Sequence, residues 1–120
     1  MRASFLVLPF VVWSGVAMAT GLDFELKNAT GYDIEAVYVD PSDSDEWSGN
    51  ILKNDDELAD GSAASVTFEG DPESCKWDLK VDWAGDYEPT VWENLNLCKI
   101  STITLKYNRK TDETTAILDE

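Results

Sequence analysis

A chain of 120 residues has room for one domain with a real core, and a covalent cross-link is useful at that size. Twenty-four acidic residues against nine basic ones give a net charge of −15. Such a body is repelled by nucleic-acid phosphates and anionic lipid surfaces, so neither is an expected partner. The chain has no histidine, which removes histidine-dependent triads, cysteine–histidine pairs and histidine metal sites.

Arg2 precedes an uninterrupted apolar run from Phe5 to Trp13, and Ala17-Met18-Ala19 offers small residues where a signal peptidase reads. The run is about half of the ~20 residues that span a bilayer. Residues 1–19 are therefore expected to be a cleaved signal peptide. Residues 20–120 should form a single domain, periplasmic or secreted, with no membrane association after cleavage. In such a compartment Cys75 and Cys98, the two cysteines of the chain, most simply make one disulfide. Two thiols without a histidine rarely hold zinc.

The remainder reads as strands. Leu22 to Lys27 alternates strictly, with Leu22, Phe24 and Leu26 on one face. Asn28-Ala29-Thr30-Gly31 is turn chemistry, and Ile34 to Val39 makes a second strand, so a hairpin of the two is expected. Asn28-Ala29-Thr30 also matches a glycosylation sequon, but the turn is the preferred reading. Asp40 to Ser62 is rich in Asp, Ser, Asn and Gly, with Trp47, Ile51, Leu52 and Leu58 as isolated apolar points. It reads as a long acidic loop pinned by those side chains, with a helical turn conceivable from Ser42.

Ala64 to Glu69 resumes the strand pattern. Lys76 to Trp83 carries the clearest period of two: Trp77, Leu79, Val81 and Trp83 share a face, while Lys76, Asp78, Lys80 and Asp82 alternate in sign on the other. Thr90 to Leu97, Ile100 to Tyr107 and Thr114 to Leu118 complete about seven strands. No helix-period segment is long enough to link parallel strands, so antiparallel sheets are expected. The fold class is all-β, a two-sheet β-sandwich with one long acidic loop; a small β-barrel is the alternative.

The cysteines constrain the register. Pairing Trp77 with Leu97 and Leu79 with Leu95 matches apolar residues but leaves Cys75 and Cys98 on opposite faces, where no disulfide closes. A shift of one residue brings the cysteines together and sets Asn96 against Trp77. Either a bulge precedes Cys98 or the two strands are not hairpin neighbours, in which case the bond could join the layers.

The segments Asn28-Ala29-Thr30-Gly31-Tyr32, Val37-Tyr38-Val39-Asp40-Pro41-Ser42, Cys75-Lys76-Trp77-Asp78-Leu79-Lys80-Val81 and Asn96-Leu97-Cys98 resemble a family of short exported bacterial proteins. Here Trp47-Ser48-Gly49 stands where the family pattern has tryptophan followed directly by glycine. Some members bear the name argininosuccinate lyase. A chain this short lacks the long helices of that enzyme class, so the name does not transfer. The resemblance supplies no activity and no site residues.

Asp40, Asp43, Asp45 and Glu46 offer hard oxygen ligands of the kind calcium takes. Asp43-Ser44-Asp45 opens like an EF-hand loop, but Trp47 occupies the third ligand position and Ser48 the position that requires glycine. A solvated acidic loop is preferred over a calcium site. Trp77 and Trp83 belong to the core by pattern. Trp47 and Trp92 are expected to pack as well, although exposed together they would make a recognition patch. No cofactor is implied. The function expected from these residues is that of an exported, non-enzymatic binding or interaction module, with another exported protein as a candidate partner. A calcium-stabilised structural module is the alternative, and a small hydrolase comes third.

Overall fold

The computed structural model of the chain describes residues 22–44, 46–68 and 74–120. The expected signal peptide, Asp45 and Glu69 lie outside them. Seven strands are present: β1 (Phe24–Ala29), β2 (Ile34–Pro41), β3 (Ala63–Val66), β4 (Lys76–Trp83), β5 (Thr90–Asn96), β6 (Thr102–Asn108) and β7 (Glu113–Asp119). They form a four-stranded sheet in the order β3-β1-β6-β7 and a three-stranded sheet in the order β2-β4-β5. The architecture is an open β-sandwich, not a closed barrel.

The period-two pattern dictates what each layer buries. In β4, Trp77, Leu79, Val81 and Trp83 are all buried, whereas Lys76 is exposed and Asp78, Lys80 and Asp82 are half-exposed. Phe24 and Leu26 of β1 and Ile103 and Leu105 of β6 supply the facing layer, and Leu52 and Leu58 from the long loop close the core. Fully burying an aliphatic side chain of this size contributes about 1.5–3 kcal/mol.

Three expectations are corrected. β1 and β2 do not form a hairpin; the Asn28–Tyr32 turn carries the chain from one sheet to the other. The sheets are mostly antiparallel, but β1 pairs with β6 in parallel, with Leu26 opposite Ile103 and Asn28 opposite Leu105. The crossover that a parallel pair needs is made here by the strands of the other sheet, so no helix is required. Finally, the chain after β2 makes a hydrogen-bonded turn, Ser44 N–H to Pro41 O, and no helical turn. A 3-10 turn comes later, at Lys53–Asp55.

The long loop is also better ordered than its composition suggests. It runs back along the outer edge of β2. Ser48 and Ile51 donate backbone hydrogen bonds to the carbonyls of Val39 and Val37, and Leu58 exchanges a pair with Ile34. Between these, the Asn50 and Ser48 side chains accept from the amides of Val37 and Val39. Almost every free polar group on that edge is thereby used, which is one way a sheet avoids edge-to-edge association.

β4 and β5 are antiparallel neighbours, with Trp77 opposite Leu95 and Leu79 opposite Trp92. Between those pairs one β4 residue, Asp78, faces two of β5, Glu93 and Asn94. This is a bulge, and Asn94 sits in it at φ 60°. The Asp78 carboxylate accepts from the Asn94 amide (3.0 Å) and the Ser42 hydroxyl (2.7 Å), fixing both the bulge and the start of the loop. Beyond the bulge Leu97 donates its amide to Cys75 O, and the chain turns at Cys98. The cysteines then lie 5.2 Å apart at Cα and are bonded. The disulfide therefore closes one end of a single sheet and does not join the layers. It is of the type that persists in oxidising compartments. Replacing both cysteines by alanine should lower the unfolding free energy by about 2–4 kcal/mol; an unchanged denaturant midpoint would show that the staple adds nothing.

Candidate functional site

Of the candidate metal ligands, Asp45 lies outside the described residues, and the other three occupy different environments. Asp40 is 2% exposed, on the outer side of β2 and opposite Asp78. Asp43 and Glu46 are exposed on the loop above it. Among the described residues no three metal-ligating side chains gather around one point.

The tryptophans separate too. Trp92 packs against the core, whereas Trp47 lies over Lys80, whose ammonium is 4.8 Å from the Trp47 ring centroid and 5.0 Å from that of Tyr38. Lys80 is thus held between two aromatic rings, and Trp47 fastens the loop onto the sheet. Burial, and then the Asp82 carboxylate that accepts its hydrogen bond, hold the Tyr38 phenol above its ordinary pKa.

The chemistry collects at the end of the sandwich opposite the disulfide. The pairings Ile34–Trp83 and Ala29–Lys106 bring three connections to that end: the β1–β2 turn, the β4–β5 loop and the β6–β7 hairpin. Each presents a tyrosine. Tyr32 is the central one, meeting Tyr87 edge-on at 5.6 Å and 63°, and Tyr107 at 5.6 Å and 74°. Trp83 supplies a buried wall, its indole N–H donating to the Thr90 hydroxyl at 3.1 Å. The acidic residues Glu88 and Asp112 also line the cleft, which has a volume of about 470 Å³. That is within the range of about 300–1,000 Å³ typical of small-molecule sites.

Local sequence explains why the rings stand where they do. Asn28 is 1% exposed, and its amide donates to Tyr32 O (2.8 Å) and Leu58 O (2.9 Å). Its carbonyl oxygen accepts from the Thr30 hydroxyl (2.7 Å), and that hydroxyl accepts from the Tyr32 amide (3.2 Å). Gly31 takes φ 90°, a conformation L side chains rarely adopt, and its amide donates to Asp60. The sequon is therefore a turn whose asparagine amide is already fully engaged.

Gly85, at φ 102°, is required twice. Its backbone is left-handed, and a Cβ there would sit 3.2 Å from the Tyr87 ring. Asp112, at φ 58°, closes the β6–β7 hairpin and accepts the Tyr107 hydroxyl at 2.8 Å. That hydrogen bond, more than burial, raises the Tyr107 pKa, while Arg109 opposes the shift.

None of the three tyrosines stood out in the strand pattern, because each lies at or beside a turn. The available signal was positional: NATGY, AGDYEP and KYNRKTD each place a tyrosine at a strand end.

No family model matches the chain, and no curated protein matches it. Its fold is similar to the NMR structure of a protein from Eubacterium rectale, with a TM-score of 0.52 and 11% identity over 82% of this chain and 87% of that one. At that identity the likeness concerns the fold alone.

The Asn28 network predicts a definite cost. Asn28→Ala removes two buried hydrogen bonds, to Tyr32 O and Leu58 O, and the acceptor of the Thr30 hydroxyl; it should destabilise the protein by about 1–3 kcal/mol, measurable by denaturant unfolding. Asp112→Asn, tolerated at positive φ, should move the Tyr107 ionisation down towards the ordinary tyrosine value of about 10, read by ultraviolet titration. The sign for stability follows. A phenol whose pKa is raised in the folded state contributes fully below the unfolded value and loses that contribution as the pH climbs through the folded one. The variant should accordingly lose less stability than the wild type between those values.

Proposed function

We propose that the protein is an exported, non-enzymatic binding module, working in the periplasm or outside the cell, and that its ligand enters the cleft framed by Tyr32, Tyr87 and Tyr107. The convergence of three aromatic rings from three separate connections carries this reading. Tyrosine rings contribute contact area, a polar tip and a π face, which serve recognition. Tyr87 is 59% exposed, the most open of the large hydrophobic residues that stand out at the surface. Left in water, such a ring contributes little to folding; placed at the rim of a cleft, it is available to a ligand. The signal-like leader and the disulfide support an oxidising, extracytoplasmic address.

A second reading draws on β7, an edge strand on which Ile117 and Leu118 are 41% and 43% exposed. Another exported protein could add a strand to that edge.

The two readings are separated by mapping backbone amide resonances against a panel of small aromatic, cationic and sugar-like fragments. Shifts should concentrate at Tyr32, Trp83, Tyr87 and the β6–β7 hairpin, and Tyr87→Ala should abolish them with the fold intact. Perturbations gathered instead along β7 would favour the edge, and the absence of any saturable response would count against a binding cleft.

A further inference from the structure

We infer that the group recognised by the end cleft is an organic ammonium, best of all an alkylated one; this rests on the binding reading above. The first ground is the arrangement of the rings. Tyr87 and Tyr107 stand at 63° and 74° to Tyr32, each with its centroid 5.6 Å from that of Tyr32. The rings meet edge-on and are not stacked in parallel, and all three line one cleft. Each face is the negative pole of the ring quadrupole, and a cation within about 6 Å of a centroid is attracted to it.

The second ground is charge. The described lining of the cleft contains two carboxylates, Glu88 and Asp112, and no lysine or arginine. Lys106, Arg109 and Lys110 border a separate hollow that meets the cleft at Tyr107, and none of the three lines the cleft itself. With a net charge of −15 behind it, the cleft repels anions and attracts cations. A neutral apolar ligand would cover both carboxylates without offering them a compensating partner. A small hard metal ion would seek several oxygens and hold its water. An alkylated ammonium matches both features, because its methyl groups pack on the rings while its charge faces the carboxylates.

A third ground lies elsewhere in the same molecule. Lys80 rests between Tyr38 and Trp47, where the chain places its own cation over two rings. The end cleft also gathers aromatic rings, and its described lining supplies no cation of its own.

Calorimetric titration of the exported chain with choline, and with the uncharged isostere in which carbon replaces the quaternary nitrogen, tests the inference. Choline should bind at least about tenfold more tightly than the isostere, the ratio expected of a desolvated cation–π contact. Tyr87→Leu should remove that preference, Tyr32→Phe should keep it, and Glu88→Gln should weaken choline while leaving the isostere unchanged. Melting temperatures close to that of the wild type will confirm that each variant folds. A trimethyllysine peptide that binds where choline does not would still place an ammonium group in the cleft and would assign its source to a protein side chain. Equal affinity for choline and the isostere overturns the ammonium inference while leaving the cleft a binding site. No saturable binding of choline, isostere or peptide to folded protein overturns the inference, and the fragment map then decides the binding reading independently.

Discussion

The parallel pairing of β1 with β6 is the constraint on which the rest of the molecule turns. It sets Leu26 beside Ile103 and Asn28 beside Leu105 in the middle of the larger sheet, where burial leaves no latitude in register. Because the two strands run the same way, the turn after β1 and the hairpin after β6 emerge at one end. Had β6 been antiparallel to β1, Tyr107 and Asp112 would stand at the far end, beside the disulfide. The aromatic cleft is thus a consequence of strand direction.

Once the ends coincide, buried hydrogen bonds fix what they display. Asn28 is the main agent, since its side chain ties the β1–β2 turn to Leu58 and so to the long loop and the edge of the other sheet. The amide is satisfied on both sides and removed from water, conditions under which a polar group rigidifies a core and does not loosen it. Asp78 acts similarly at the opposite end, holding the β5 bulge and the start of the loop with one carboxylate. Few of the many acidic residues are used in this way. Most, including Asp43 and Glu46, remain in solvent, where their mutual repulsion is screened.

The long loop shows how such a composition can still be ordered. Its backbone bonds to β2, Leu52 and Leu58 enter the core, and Trp47 closes over Lys80. Edge protection and core closure are thereby obtained from a segment with no regular strand of its own.

Alternation determined the all-β class, the bounds of β4 and the inward faces of β1 and β4, and the presence of just two cysteines determined the bonding of Cys75 to Cys98. Each of those depends on neighbours close in sequence or on a count of two. The sequence left open whether β4 and β5 are hairpin neighbours; they are, and Cys98 reaches Cys75 because the chain leaves β5 after Asn96 and turns there. It could not decide which sheet β2 would join or the direction of β6. Such choices follow from the packing of two apolar faces against each other, and they add no mark to any single segment. The candidate site was still less legible. Asp40, Asp43 and Glu46 are close in sequence yet divided between a buried position on the outer side of β2 and solvent, whereas Tyr32, Tyr87 and Tyr107 lie far apart in sequence and share one corner. A strand pattern reports which face a residue takes; only the tertiary structure decides at which end of the molecule its neighbours will be.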